Sequence, residues 1–379
     1  MRTDLSVEAK QTFQVVAVLA TVFVVAIHYQ SASPISAVIE DASWNEIFQA
    51  FLLGGVARVA VPLFAFAAGL FYFRSDDGSV RCYWKKIRQR ARSVGVPYLV
   101  IGAIAMLSWI AVRRIEGDPV SLNFAELIAT WLLHPPAEQM WFLRDLMVLV
   151  AIAPMIRLVI NKAPGISLTL LAALWVSHYQ PFPILGGWYL LSTETLFFFA
   201  LGCAAVNRSD LLERLGNANT LAAYGLVIVW FDLVAARIVL QPDFNSWYAT
   251  NYSVPSLLIH KFSILAGCMA MWAAAWRLRR ESLCKLSGLS FFVYLFHEFP
   301  LRAVAHRIAA LGLDESVWFW TLSPIIVVGC YSVANQASRS LPSIFAWITG
   351  GRTPGSAMKL GNTTDVSHNH PPLSSAATR

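Results

Sequence analysis

Apolar positions run along this chain in long unbroken blocks, without the alternation of a half-buried strand or the narrow stripe of a surface helix. A helix of roughly 17 to 25 apolar residues crosses the hydrocarbon of a bilayer. Windows of that kind recur over approximately residues 13–30, 47–73, 94–112, 140–160, 166–180, 188–206, 220–240, 256–276, 287–308 and 318–347. The pattern predicts an all-α, polytopic integral membrane protein of about ten transmembrane helices. From Gly350 onward the residues are Gly, Pro, Ser, Thr and Asn-rich, which predicts a membrane domain over 1–349 and a disordered cytoplasmic tail over 350–379.

Composition narrows the picture. Apolar residues make 57% of the 379 and charged residues 13%, against about 45–50% and 25% in soluble domains. So little polar cover excludes a soluble enzyme, a disordered chain, a coiled coil and a small disulfide scaffold. Cys82, Cys203, Cys268, Cys284 and Cys330 stand singly, with neither disulfide nor zinc spacing. The net charge of +7 is confined to short connections. Arg74, Arg81, Lys85, Lys86, Arg88, Arg90, Arg92, Lys162, Arg208, Arg214, Arg277, Arg279, Arg280 and Lys285 fall in alternate loops, while the other loops hold Arg113 and Arg114. By the positive-inside rule both termini are cytoplasmic, and the charge orients the chain in a membrane; no nucleic acid is implied. A signal peptide over the first window is disfavoured, because the window ends in His28 and nine more follow.

Ionisable groups inside spans cost about 2.5–3.5 kcal/mol each on insertion scales, so each is a functional candidate. They are His28, Arg58, Arg144, Asp145, Glu194, Asp232, Arg237, His297 and Glu298. His28 reads either as a satisfied interior histidine or as a general base. Trp141, Arg144 and Asp145 share one helix face at i, i+3 and i+4, as a site or as an interfacial Trp beside a structural ion pair. Asp232 and Arg237 read as an interhelical or snorkelling pair. Glu194 and Glu298 stay open between binding roles and backbone-bonded acids. His134, His178 and His260 lie at span ends, where interfacial exposure is expected. Pro62 and Pro300 are expected to free the carbonyls of Arg58 and Phe296 and to kink their helices beside charged groups. Signatures of ATP-driven transport, dinucleotide chemistry, zinc proteolysis and serine hydrolysis are absent, and no acidic residue follows His28 at four or five positions.

As a set, these residues resemble the membrane-bound acyltransferase family 3, the bacterial surface-polysaccharide O-acyltransferases. "AVLATVFVVAIH", ending at His28, resembles the family's first helix. "RVAVPLFAFAAGLFYF" from Arg58 is similar to its R-x-x-V-P-x-F-F-x-x-S-G pattern, and "MWFLRDLMVLVAIAPMI" from Met140 to its W-F-L-R-D-L helix. "FFFALGCAA" from Phe197 and "SGLSFFVYLFHEFPLR" from Ser287 match its F-x-x-G and S-x-x-S-F-x-x-Y-x-x-H stretches. The resemblance implies transfer of an acetyl or other short acyl group from acyl-CoA, as co-substrate, to a sugar hydroxyl of a surface polysaccharide or lipid-linked glycan, at a bacterial inner membrane. No bound cofactor or metal is implied. It implies catalytic roles for His28, Arg58, Arg144 and His297, with His28 as base, and substrate contacts from Trp141, Asp145, Glu194 and Glu298. Two positions depart from the pattern. Ala17 stands where the family has a basic residue eleven before the histidine, and Ala68 where it has serine. The basic connection 74–93 is a candidate for CoA phosphate contacts as well as an orientation signal. Connection 113–139, with Glu126, Trp131 and Glu138, is a candidate for acceptor contacts. A transporter or flippase with a charged chamber, and a non-catalytic partner in glycan assembly, are the alternatives.

Overall fold

In hydrocarbon every backbone N–H and C=O needs an internal partner, which leaves helices as the open solution for a chain of apolar blocks. The computed structural model describes residues 5–32, 35, 38–117, 123–183, 189–244, 251–298, 301–302, 304 and 315–352. Among them the only extended pairing is an isolated bridge between Pro183 and Tyr189. The helices are α1 (Val7–His28), α2 (Trp44–Leu52), α3 (Ala60–Arg74), α4 (Val80–Arg90), α5 (Val96–Ile115), α6 (Phe124–Leu133), α7 (Trp141–Lys162), α8 (Pro164–Val176), α9 (Thr193–Ala205), α10 (Ser209–Gly216), α11 (Thr220–Leu240), α12 (Val254–Arg277), α13 (Glu281–Phe296), α14 (Glu315–Ser340) and α15 (Pro342–Ile348). Their starts follow local chemistry. Ser6, Ser43, Ser79, Asn123, Ser192, Asn219 and Ser253 each cap a helix by accepting from a backbone N–H of its first turn, as expected for short polar residues at that position.

Helix falls in every one of the ten apolar windows. Among the described residues, six stretches have both the length and the hydropathy to cross a bilayer: Val7–His28, Trp44–Arg74, Val80–Ile115, Thr220–Leu240, Val254–Arg277 and Trp318–Ser340. A seventh forms if Thr193–Ala205 and Ser209–Gly216, bent by 98°, are one broken span. The chain is therefore a multi-pass, all-helical membrane protein. The remaining windows are covered by α7, 22 residues long but charged at both ends, and by α8 and α13, of 13 and 16 residues.

Two windows are discontinuous. In 47–73 the helix breaks after Leu52 and passes through a 3₁₀ turn at Val56–Val59 before α3 begins. Pro62 thus lies in the first turn of α3, where a missing N–H costs no helical bond, and not at the mid-helix kink expected from the sequence. The irregular backbone lies at Arg58 itself. In 318–347 the helix ends at Ser340 and α15 starts at Pro342. Pro300 and nearly all of the tail lie outside the described residues.

α3 and α9 pack most closely, through glycine. A Cβ on Gly69 would stand 2.1 Å from the Phe199 carbonyl oxygen, and one on Gly202 2.3 Å from that of Phe66. Small residues allow this backbone approach, which drives helix association in lipid. Helix α1 runs through the middle, touching α3, α12, α13 and α14. Its last residue, His28, is thereby delivered to the interior end of the bundle.

Between α4 and α5 the chain makes a π-helical turn at Ala91–Gly95. Pro97 lacks the N–H that would bond the carbonyl four residues earlier, that of Ser93. That carbonyl accepts instead from Arg352 Nη1 at 2.8 Å, so the chain beyond α15 is pinned to the π turn.

Candidate active site

The C-terminal ends of α1 and α13 meet. His28 closes α1 and His297 follows α13 directly, with ring centroids 5.1 Å apart and planes at 63°. Helix C-termini carry partial negative charge, so both imidazoles stand where a transient positive charge is accommodated. Tyr29 Oη donates to the His297 carbonyl at 2.7 Å and locks the two ends together.

The His297 tautomer follows from its neighbours. Nδ1 faces two carbonyl oxygens, Val293 at 3.1 Å and Tyr294 at 3.0 Å, and must donate, which leaves Nε2 as a lone-pair acceptor. Nε2 is buried with no partner among the described residues, in a side chain of zero exposure. His28 is half-buried and has no hydrogen bond among the described residues. Among the described residues, one imidazole is thus held rigidly with its acceptor unused, and the other is half-buried without a hydrogen bond.

Glu298 and Glu138 complete this group. A ring nitrogen of His28 and one carboxylate oxygen of each lie within 4.8 Å of one another. The spacing would admit a cation, but Arg302 already bridges both acids, at 3.1 Å to Glu138 and 3.4 Å to Glu298. Glu298 is 3% exposed and its Oε2 has no partner among the described residues. Glu138 opens a 3₁₀ turn whose next residue, Gln139, receives a hydrogen bond from Tyr294 Oη through its carbonyl and donates to the Leu295 carbonyl. This turn seats the connection between α6 and α7 on α13.

A second polar group gathers around Glu194. Glu194, in the first turn of α9, accepts from Trp175 Nε1 at 3.0 Å, and its charge acts on both Arg58 and Lys261. Lys261 is 4% exposed within α12, 3.2 Å from His178 Nδ1 and 4.9 Å from the centre of the Trp175 ring. The Arg58 charge acts in turn on His28, His178 and His260.

Arg144 and Asp145 make a third. Asp145, with no exposure, accepts from Ser192 N at 2.9 Å and Thr195 Oγ1 at 2.7 Å and lies 3.4 Å from Arg144. Arg144 donates to the Leu133 and Tyr189 carbonyls, each at 2.5 Å. The pair ties α7 to the start of α9, to the end of α6 and to the segment that precedes α9. Trp141, half-buried, lies one turn earlier on α7.

Two expectations are corrected. Asp232 and Arg237 do not pair: Arg237 is 2% exposed, donates to the Ala50 carbonyl at 3.3 Å and faces Phe244, while Asp232 lies on the exposed side of α11. His260 is buried and not interfacial, its ring 5.1 Å from Phe244. Lys261, Arg302, Tyr29 and Gln139 escaped the sequence reading. Lys261 and Arg302 sit inside apolar windows and were there to be counted; Tyr29 and Gln139 carry no charge and gave no signal.

Comparison with known proteins supplies the chemistry. The acyltransferase 3 family profile, described as an acyltransferase domain, matches residues 15–335. Over 328 residues the chain is 26% identical to the succinoglycan biosynthesis protein ExoH of Rhizobium meliloti (strain 1021), covering 81% of this chain and 83% of that protein. No solved structure matches significantly.

Proposed function

We propose, for a chain that belongs to the acyltransferase 3 family and is a multi-pass membrane acyltransferase, that it moves a short acyl group from acyl-CoA to a sugar hydroxyl of a surface polysaccharide or lipid-linked glycan. Polysaccharide as acceptor is supported by the similarity to a succinoglycan biosynthesis protein. We place it in a bacterial inner membrane, with ten spans and both termini cytoplasmic, on the basic-loop asymmetry of the sequence.

One observation carries the reaction: His28, without a hydrogen bond among the described residues, meets His297 end to end beside Glu298 and Glu138. His28 takes the proton of the acceptor hydroxyl as its oxygen attacks the thioester carbonyl carbon. The tetrahedral oxyanion collapses, the carbon–sulfur bond breaks, and the His28 proton passes to the departing thiolate. Arg58, with Lys261 beside it, supplies positive potential for the oxyanion, the kind of preorganised charge that lowers such barriers most. Nε2 of His297 accepts from a second hydroxyl of the sugar and orients it. Arg144, fixed by Asp145, shapes the outer rim with Trp141. Glu194 holds Arg58 and Lys261 in place, and Glu298 contacts the acceptor. No metal enters this scheme.

The test is the acyl-ester content of surface glycan in a deletion strain complemented with wild type, His28→Ala or Arg144→Ala, with isotope transfer from labelled acyl-CoA measured in membranes. Loss of one ester, restored by wild type and by neither variant at equal membrane levels, supports the reading. Unchanged ester with altered glycan export or solute uptake would replace it by a transporter.

A further inference from the structure

Three separate segments bring metal-ligand atoms together beside the histidine pair. His28 ends α1, Glu298 follows His297 just past α13, and Glu138 opens the 3₁₀ turn ahead of α7. One His28 ring nitrogen and one carboxylate oxygen of each glutamate lie within 4.8 Å of one another. An ion central to three such atoms is at most about 2.8 Å from each, against about 2.0–2.2 Å for zinc on imidazole nitrogen or carboxylate oxygen. Side-chain shifts below about 1 Å therefore complete the coordination.

Arg302 now holds the two acids, at 3.1 Å to Glu138 and 3.4 Å to Glu298, and no other lysine or arginine pairs with either among the described residues. Two carboxylates against one guanidinium leave a negative charge uncompensated. The bonding is incomplete as well. Glu298 is 3% exposed and its Oε2 has no partner among the described residues, and Arg302 Nε is likewise buried without one. Buried polar atoms left in this state are costly, and a carboxylate oxygen in a group of ligand atoms is one that a cation would satisfy. The Arg302 side chain keeps 31% of its exposure and Glu138 keeps 57%, so the first can leave toward solvent and the second stands at the point of entry.

Resting on the reading of His28 as the base, we infer that His28, Glu138 and Glu298 form a binding site for a borderline divalent cation, zinc by its donor set, and that occupancy switches the transferase off. One imidazole with two carboxylates suits zinc better than the all-oxygen shells of magnesium or calcium. A divalent ion balances the two acids, displaces Arg302 and leaves a fourth position to water. Neutral imidazole has a single lone pair. Once that pair is given to the metal, through either ring nitrogen, none is left to take the proton of the acceptor hydroxyl. Zinc thus has no part in the transfer and competes with it.

The experiment uses full-length protein stripped with chelator and placed in nanodiscs of neutral lipid. A Cys82→Ser background removes another group of possible ligands, Asp76, Asp77 and Cys82. Cobalt(II) is titrated by its visible absorption with zinc as competitor, and isotope transfer from labelled acyl-CoA is followed at rising zinc. The chain should bind one cobalt, yield it to zinc, and lose transfer over the same range of zinc, with chelator restoring the rate and millimolar magnesium without effect. Glu138→Gln should weaken both metals and raise the half-inhibiting zinc, relative to its own metal-free rate, by about tenfold or more, since even a lost outer-shell partner costs that much. Arg302→Gln, which removes the competing cation, should tighten zinc severalfold, the scale of a half-exposed ion pair. His28→Ala should lose cobalt binding. Absence of binding at micromolar metal, or an affinity and inhibition unchanged in Glu138→Gln, would overturn the site. Bound metal that leaves transfer untouched, with His28→Ala inactive, would overturn the switch, because a ligated His28 cannot act as base. His28→Ala transferring at the wild-type rate would overturn the base reading and the switch together, and the cobalt titration would still judge the metal site.

Discussion

Helices α3 and α9 meet over their apolar faces with glycines opposed to carbonyls, while α1 and α13, equally apolar along most of their length, meet at ends that carry His28 and His297. The first contact is built on glycines and aromatic rings and gains from dispersion and close backbone approach. The second accepts a buried nitrogen and a carboxylate oxygen that have no partner among the described residues, each of which destabilises the fold. The difference locates where the chain spends stability on chemistry: the glycine-packed pair forms the frame, and the helix ends it holds in register form the site.

The contrast is broken most severely from the polar side. His28→Ala should lower acyl transfer by about 10²–10⁴-fold, the range of general-base catalysis, with thermal stability in detergent unchanged or improved. A residual rate within about threefold of wild type would remove His28 from the reaction. On the apolar side, Gly202→Leu drives a side chain into the backbone at Phe66, and overpacking of this kind costs about 3 kcal/mol. Loss of monodisperse protein in fluorescence-detected size exclusion is expected; a normal elution profile and melting point would show that the close approach is not what holds α3 to α9.

Tyr29→Phe touches the seam between the two. It leaves the His297 carbonyl without its donor, at about 2 kcal/mol, and should lower both the melting point and the transfer rate. A loss of stability with no change of rate would mean that the lock on α13 does not position His297. The mildest change is Ser43→Ala, which removes an exposed capping box with Glu46 and should cost about 1 kcal/mol in local protection of α2, read by hydrogen exchange, without moving the rate.

The helices were legible because hydropathy over a bilayer-length window is a strong signal; all ten windows hold helix. Their breaks were less so. Pro62 advertised irregular backbone near Arg58, but the helix parts at Leu53–Gly55 and re-forms before the proline, since proline is well suited to a first turn. Of the site, His28, His297 and Glu298 were legible as costly residues inside spans, and their meeting was not, because helix adjacency leaves no mark in one sequence. Lys261 shows the opposite failing. It stood within an apolar window beside His260, and the expectation of interfacial exposure at a span end concealed a lysine that the fold buries. Arg302 is similar, an arginine read as part of a motif whose target, two carboxylates from different segments, appears only in three dimensions.

The π turn at Ala91–Gly95 also bears on how this chain can vary in length. A one-residue deletion inside a helix such as α5 turns every later side chain by about 100° around its axis, taking Ile101 and Ala105 out of their packing. A wide turn of the π type contains one residue more than the α-helical path requires, so deletion within 91–95 closes the ring to ordinary pitch and leaves the facing of α5 intact. Among single-residue deletions scanned through α4 and α5, those five positions are where membrane insertion and folding should survive.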